Sequence, residues 1–216
     1  MIRHALAPVV PAAAASLALP LRAPDARGVV LTFDDGPHPE GTPAVLEELA
    51  RAGARGMFFL IGEQVERRPA VAASIAAAGH AVAVHGYRHR LQLRLGPAEV
   101  AADLKRAVAV IADATGVAPR WHRPPFGIYS AAGLRAARAA ELAPLLWSRW
   151  GKDWRKFTTP ARIAARATRG VGAGDVILLH DADFYSARDS HRRTVAALPR
   201  IFSVLSSGGF DTVLPV

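Results

Sequence analysis

The chain has no cysteine among its 216 residues. Disulfides and thiolate metal sites are therefore excluded, and the redox compartment is left open. No segment is both long and apolar enough to span a bilayer. No internal repeat, low-complexity linker or second domain can be traced, so one domain with a substantial core is expected at this length. Acidic residues are the scarcer charge, 18 Asp and Glu against 27 Lys and Arg, which leaves a net charge of +9. That excess invites a nucleic-acid reading. The arginines are spread along the chain, however, and no nucleic-acid module is recognisable. Most are read as a solvated surface, and no nucleic-acid partner is expected.

What is present is an alternation of short apolar runs and helical patterns. Strands are expected at residues 29–33, 56–61, 80–84, 121–122, 145–148, 176–179 and 211–214. Helices are expected at 43–52, 69–79, 97–115, 161–169 and 193–205. In the longest, Val100, Leu104, Val108 and Ile111 form one core-facing stripe, and Gly116 suits its C-terminal cap. Repeated βα units imply parallel strands with helical crossovers. About seven strands fit an α/β fold of the distorted, incomplete (β/α) barrel type, with a doubly wound open sheet as the competing layout. Residues 1–27 read either as an N-terminal arm or as a secretory signal interrupted by Pro8, Pro11 and Pro20. Residues 28–216 are the expected domain.

The chemistry gathers where strands end. Asp34 and Asp35 close the run of residues 29–33, before Gly36-Pro37 stops it. Two acids at the tip of a buried strand repel each other unless a cation or a proton sits between them. This points to a metal or acid–base site rather than to a turn that merely favours Asp. His85 and His89 follow the apolar run of residues 81–84. On a helical turn, that spacing would align both imidazoles on one face. Two His and one carboxylate form a ligand set that leaves positions open for water and substrate. Asp35 could be the third ligand, leaving Asp34 free as a base.

Five segments in sequence order carry a resemblance: residues 32–37 (TFDDGP), the His85/His89 pair, residues 123–126 (RPPF), Asp153-Trp154, and residues 178–180 (LLH). Together they resemble the motifs of the polysaccharide deacetylase family, carbohydrate esterase family 4 with its NodB homology domain. The match runs from about Val29 to the C-terminus. Two positions depart from the family pattern. Gly86 stands where Ser or Thr is usual, and Phe126 where Tyr is usual.

The resemblance implies a metal-dependent hydrolase that removes N-acetyl groups from amino sugars of a glycan. Asp35, His85 and His89 would hold one divalent ion, with zinc expected and cobalt, nickel or manganese able to use the same ligands. Asp34 would act as general base, with Arg123 orienting it. His180 would be the general acid, held cationic by Asp153. The main-chain N–H at Phe126 would meet the oxyanion, while Trp154 and Leu178 would wall the acetyl methyl. Alternatives are a deformylase or deacetylase of a lipid-phosphate-linked sugar, and a catalytically silent glycan-binding member.

Arg149, Lys152, Arg155 and Lys156 surround Asp153-Trp154, and Arg88 and Arg90 flank His89. An anionic glycan, or contact with a membrane surface presenting one, is expected from them. The location is expected to be the cell envelope or extracytoplasmic space, with the cytoplasm left open. His38 reads as exposed loop, and Asp181, Asp183, Tyr185 and His191 either touch substrate or serve turns and caps.

Overall fold

A computed structural model describes residues 1–23 and 26–215. Two short helices, α1 (Ile2–Leu6) and α2 (Pro11–Ser16), precede β1 (Val30–Asp34), α3 (Gly41–Arg51), β2 (Met57–Leu60), α4 (Gly62–Arg67), α5 (Pro69–Ala77) and β3 (Ala81–Val84). Then come α6 (Pro97–Thr115), β4 (Trp121–His122), α7 (Ala131–Ala139), β5 (Ala143–Pro144) and β6 (Arg149–Trp150). The chain closes with α8 (Pro160–Ala167), β7 (Val176–His180) and α9 (Ser190–Ser207). The seven strands make one sheet in the order β5-β4-β3-β2-β1-β7-β6, and all pair in parallel.

The central strands β1 and β2 are buried along their whole length. This is why they read as unbroken apolar runs rather than alternating ones. Around them, α6 lays Val100, Leu104, Ala107 and Ile111 onto the core. Ala107 takes the fully buried place expected for Val108, which is only half-buried. Among the described residues, no helix is long and apolar enough to cross a membrane.

The two edge strands prove that the sheet is curled. β5 ends at Pro144 and β6 begins at Arg149, yet they lie at opposite edges. Seven flat strands would set those edges about 29 Å apart at ~4.8 Å per strand. The linking residues can span only about 18 Å when fully extended. The sheet therefore bends round until its edges nearly meet, forming a distorted, incomplete (β/α) barrel.

Residues 145–148, expected as a strand, are this seam. Their N–H groups divide between the two sides and a third partner: Leu145 donates to His122 O, Leu146 to Pro20 O and Ser148 to Val176 O, at 3.1, 2.9 and 3.1 Å. Ala7, Ala14 and Leu19 of the N-terminal segment join the same hydrophobic core. The expected strand at 211–214 is reduced to a single bridge between Val29 and Thr212. Sequence patterning also passed over α1, α2, α4 and α7, of which the three shortest span only five or six residues each. Pieces so short draw their stability from tertiary packing rather than helix propensity.

Candidate active site

Parallel strands deliver their C-terminal ends to one face, where the following loops converge. Register makes this specific. Asp34 of β1 pairs directly with His180 of β7 and, on its other side, with Phe59 of β2. His85 follows β3, Arg123 follows β4, and Asp153 lies just past β6. Residues far apart in sequence thus meet at one end of the barrel.

Arg123 is fully buried and its guanidinium fills the seam. It donates to Leu145 O at 3.0 Å and Leu146 O at 2.7 Å, satisfying carbonyls that a closed barrel would have paired. The Nη1 group donates to Thr32 Oγ1 at 3.0 Å and to Asp34 Oδ1 at 2.7 Å. Asp34 is therefore held by one oxygen, and its Oδ2 stands 3.7 Å from His85 Nε2. Burial pushes the Asp34 carboxyl above its ordinary range, against the opposing pull of Arg123.

The three expected metal ligands converge. His85 Nδ1–H donates to the main-chain oxygen of Arg123 at 2.7 Å, because a carbonyl can only accept. The tautomer is thereby set, and the Nε2 lone pair points at Asp35 Oδ1, 3.5 Å away. His89 Nε2 lies 3.4 Å from the same oxygen. Asp35 Oδ1 is buried and has no hydrogen-bond partner. Ligand bonds of ~2.1 Å in tetrahedral geometry require edges of about 3.4 Å. A small divalent ion therefore fits the donor set and would satisfy the orphaned oxygen. Burial lowers His85 and His89 to about 3, so both are neutral, as ligands must be. Asp35 is pushed up to about 7, by burial first, with Asp34, Asp181 and Asp153 adding to it against His180.

One expectation about this group is corrected: His85 and His89 do not share a helical turn. Residues 85–91 form a loop. Gly86 takes φ +98°, a conformation side chains rarely adopt, to turn the chain off β3. The loop is then pinned to α4, where Gly62 N–H donates to Gly86 O at 3.0 Å and Glu63 N–H to Tyr87 O at 2.9 Å. Asp103 of α6 accepts from Tyr87 N–H at 2.7 Å. The imidazoles meet through tertiary anchoring, not helical periodicity.

Opposite them, His180 Nδ1–H donates to Asp153 Oδ1 at 2.9 Å. The other oxygen of Asp153 accepts from His180 N–H and from Thr194 Oγ1, each at 2.7 Å. Burial alone would lower His180, but the charge and hydrogen bond of Asp153 outweigh it, with help from Asp35 and Asp34. The imidazole rises to about 10. Its Nε2 is left as the free, protonated tip. Between the two groups lies a pocket of about 270 Å³, lined by Asp34, Asp35, His85, His89 and His180 together with Phe126, Trp154, Leu178 and Tyr185. Phe126 sits in a tight turn at φ +63° with its ring half exposed.

Other expectations fare differently. Arg149 is spent on Asp175 (3.1 Å) and on the carbonyls of Arg169 and Gly170, and Arg90 on Asp103 (3.3 Å). Neither is free to meet substrate. Lys152, Arg155 and Lys156 have no salt-bridge partner among the described residues, and the last two are exposed. His38, expected in exposed loop, is buried against Asp183 and His191. These three have metal-like spacing. Yet His38 Nδ1 accepts from Gly41 N–H at 2.8 Å, so its proton sits on Nε2, facing Asp183 Oδ1 at 3.3 Å. That nitrogen is a donor, and the group works as a clamp between the loops after β1 and β7.

Asp181 tightens the same clamp. It is fully buried and accepts a short hydrogen bond from Thr42 Oγ1, which itself accepts from His38 N–H at 2.7 Å. Its carboxylate lies where a side chain at Gly36 would stand, so glycine there is a packing requirement. From the sequence, Asp181, Asp183 and His191 read only as substrate-touching or as turn and helix-cap residues. The one available signal was their density just after His180.

Comparison with known proteins identifies the family. The family model described as polysaccharide deacetylase matches residues 22–145. The chain is 35% identical over 192 residues to a chitooligosaccharide deacetylase of Bradyrhizobium, covering 86% of this chain and 87% of that protein. It is 30% identical over 193 residues to a peptidoglycan-N-acetylglucosamine deacetylase of Bacillus cereus, covering 86% and 84%. Among solved structures it resembles a family 4 carbohydrate esterase of Streptomyces lividans in complex with acetate. That match has a TM-score of 0.78 at 30% identity and covers 88% of this chain and 93% of the other.

Proposed function

Because this chain belongs to the polysaccharide deacetylase family, it is a carbohydrate N-deacetylase, and we propose that it works with one divalent ion held by Asp35, His85 and His89. The substrate is an N-acetylated amino sugar within a glycan such as chitooligosaccharide or peptidoglycan, the substrates named for its relatives. The observation that carries the reading is the orphaned Asp35 Oδ1 between two neutral imidazole nitrogens at 3.5 and 3.4 Å.

An amide resists hydrolysis because water is a weak nucleophile, the intermediate carries an oxyanion and the amine leaves poorly. Once bound, the ion, which the donor set suits to zinc, would supply Lewis acidity toward the acetyl carbonyl and make water more acidic. Asp34 takes the proton of the attacking water at Oδ2, the oxygen Arg123 leaves free. Burial raises the basicity of that carboxylate, which suits the task. The N–H of Phe126, on the turn beside His89, donates to the developing oxyanion; such a donor is worth ~100-fold or more in rate. His180, cationic through Asp153, gives its Nε2 proton to the leaving nitrogen. Trp154 and Leu178 supply the apolar wall beside it.

A charged carrier on the substrate, including a lipid phosphate, is favoured by one observation: Lys152, Arg155 and Lys156 lie on the loop that carries Asp153 and Trp154. Acetate and formate release should be followed across chitooligosaccharides, peptidoglycan fragments and polyprenyl-phosphate sugars, with and without chelator. Metal-dependent acetate release that disappears in Asp34→Asn and falls steeply in His180→Ala supports the assignment. Wild-type rates in both variants, or no release from any substrate with metal supplied, overturn it.

A further inference from the structure

The two metal-ligating imidazoles are held by different means. His85 has its outer nitrogen tied to the main chain of Arg123 at 2.7 Å. For His89, among the described residues, no hydrogen bond from another residue performs that service, and it stands on a loop rather than on a strand or helix. Something else must stop the ring from turning.

Two aromatic rings do so. Tyr185 lies face to face with the His89 imidazole, centroids 4.3 Å apart and planes 11° apart. Phe126 meets the same imidazole edge-on at 4.6 Å. Tyr185 is anchored at its far end. Its hydroxyl donates to Glu63 Oε1 at 2.9 Å and accepts from Gln64 Nε2 at 3.2 Å, both on α4. Its own loop is fastened to the barrel by Thr42–Asp181, by His38–Asp183, and by Ala187 N–H to Trp154 O at 3.1 Å. The neighbouring Phe184 packs on His38 at 5.0 Å, on the clamp side. A ring pinned at both ends against a flat imidazole fixes the plane of that imidazole.

Building on the metal reading above, we propose that Tyr185 is the positioning residue for His89, setting its ring so that Nε2 faces Asp35. It does not touch the reacting atoms through its hydroxyl, which is engaged by α4. Its contribution is the stacked face, so phenylalanine keeps most of it and an aliphatic side chain does not.

The test is zinc affinity of the full chain by competition with a chromophoric chelator, with the visible spectrum of the cobalt-loaded protein as a second readout. Tyr185→Ala and Tyr185→Leu are expected to bind zinc roughly threefold to tenfold more weakly, from the usual worth of one aromatic stack. Both should show an altered cobalt spectrum, while Tyr185→Phe stays within about twofold of wild type. Leu fills the space without the plane, so it remains informative where Ala disturbs folding. Leu matching wild type in both affinity and spectrum overturns the proposal while the metal reading stands. So does Phe failing as badly as Leu, since the hydroxyl contacts would then be what matters. Wild-type protein that binds neither zinc nor cobalt overturns both.

Discussion

Replacing Arg123 with methionine isolates the buried pair on which the proposed base, Asp34, depends. The change keeps an unbranched stem of similar reach to Nε but removes every guanidinium donor. Asp34 is then a carboxylate only 3% exposed, and its one cationic hydrogen-bond donor among the described residues is gone. Stripping one partner from a buried ion pair costs about 3–5 kcal/mol. The carbonyls of Leu145 and Leu146 also lose donors at 3.0 and 2.7 Å. Each orphaned buried acceptor costs ~1–3 kcal/mol, less whatever entering water restores. A loss of about 5 kcal/mol is expected, comparable to the whole stability of a marginal domain. The assay is guanidinium unfolding in the presence of chelator, so that bound metal does not add its own stabilisation. Adding Asp34→Asn to Arg123→Met removes the stranded charge but not the orphaned carbonyls, so it should recover about 2 kcal/mol. A single variant within about 1 kcal/mol of wild type, or a double variant with no recovery, refutes this account.

Zinc at about 100 times its Kd should raise wild-type stability by ~2.7 kcal/mol, read as an upward shift in melting temperature, and Asp35→Asn should abolish that shift. Gly36→Ala places a methyl group on the Asp181 carboxylate, so it should lower both zinc binding and acetate release; unchanged values would show that the clamp yields freely. Asp175 has its carboxyl held below the usual range: burial acts to raise it, but hydrogen bonds from Ser148, Gly172 N–H and Arg149 prevail. Its folded value therefore lies below the unfolded one. The stability it contributes is present above the unfolded value of ~3.9 and lost as pH falls through the folded value. Thermal melts from about pH 5 to about pH 2 should show a flatter acid limb in Asp175→Asn than in wild type.

Much of the site is legible in the sequence because catalytic chemistry needs scarce residue types at strand ends. Asp34, Asp35 and His180 each terminate or follow an apolar run, and strand register then brings Asp34 and His180 side by side. His38 could not be placed that way. Its surroundings are Asp183 and His191, which lie some 150 residues downstream and carry no local signal linking them to it. The same holds for Tyr185, whose role depends on a loop from one end of the chain stacking on a loop near its middle.

Local pattern was enough to determine the parallel βα alternation, the core strands and the identity of the acids and imidazoles, since burial and periodicity act on neighbouring residues. Tertiary structure alone decided three things. The sheet curls because a four-residue link joins its opposite edges, Arg123 closes the seam so formed, and His89 is aimed by a distant ring. Each rests on contacts between segments that share no sequence neighbourhood, and only the closing of the barrel brings them within reach of one another.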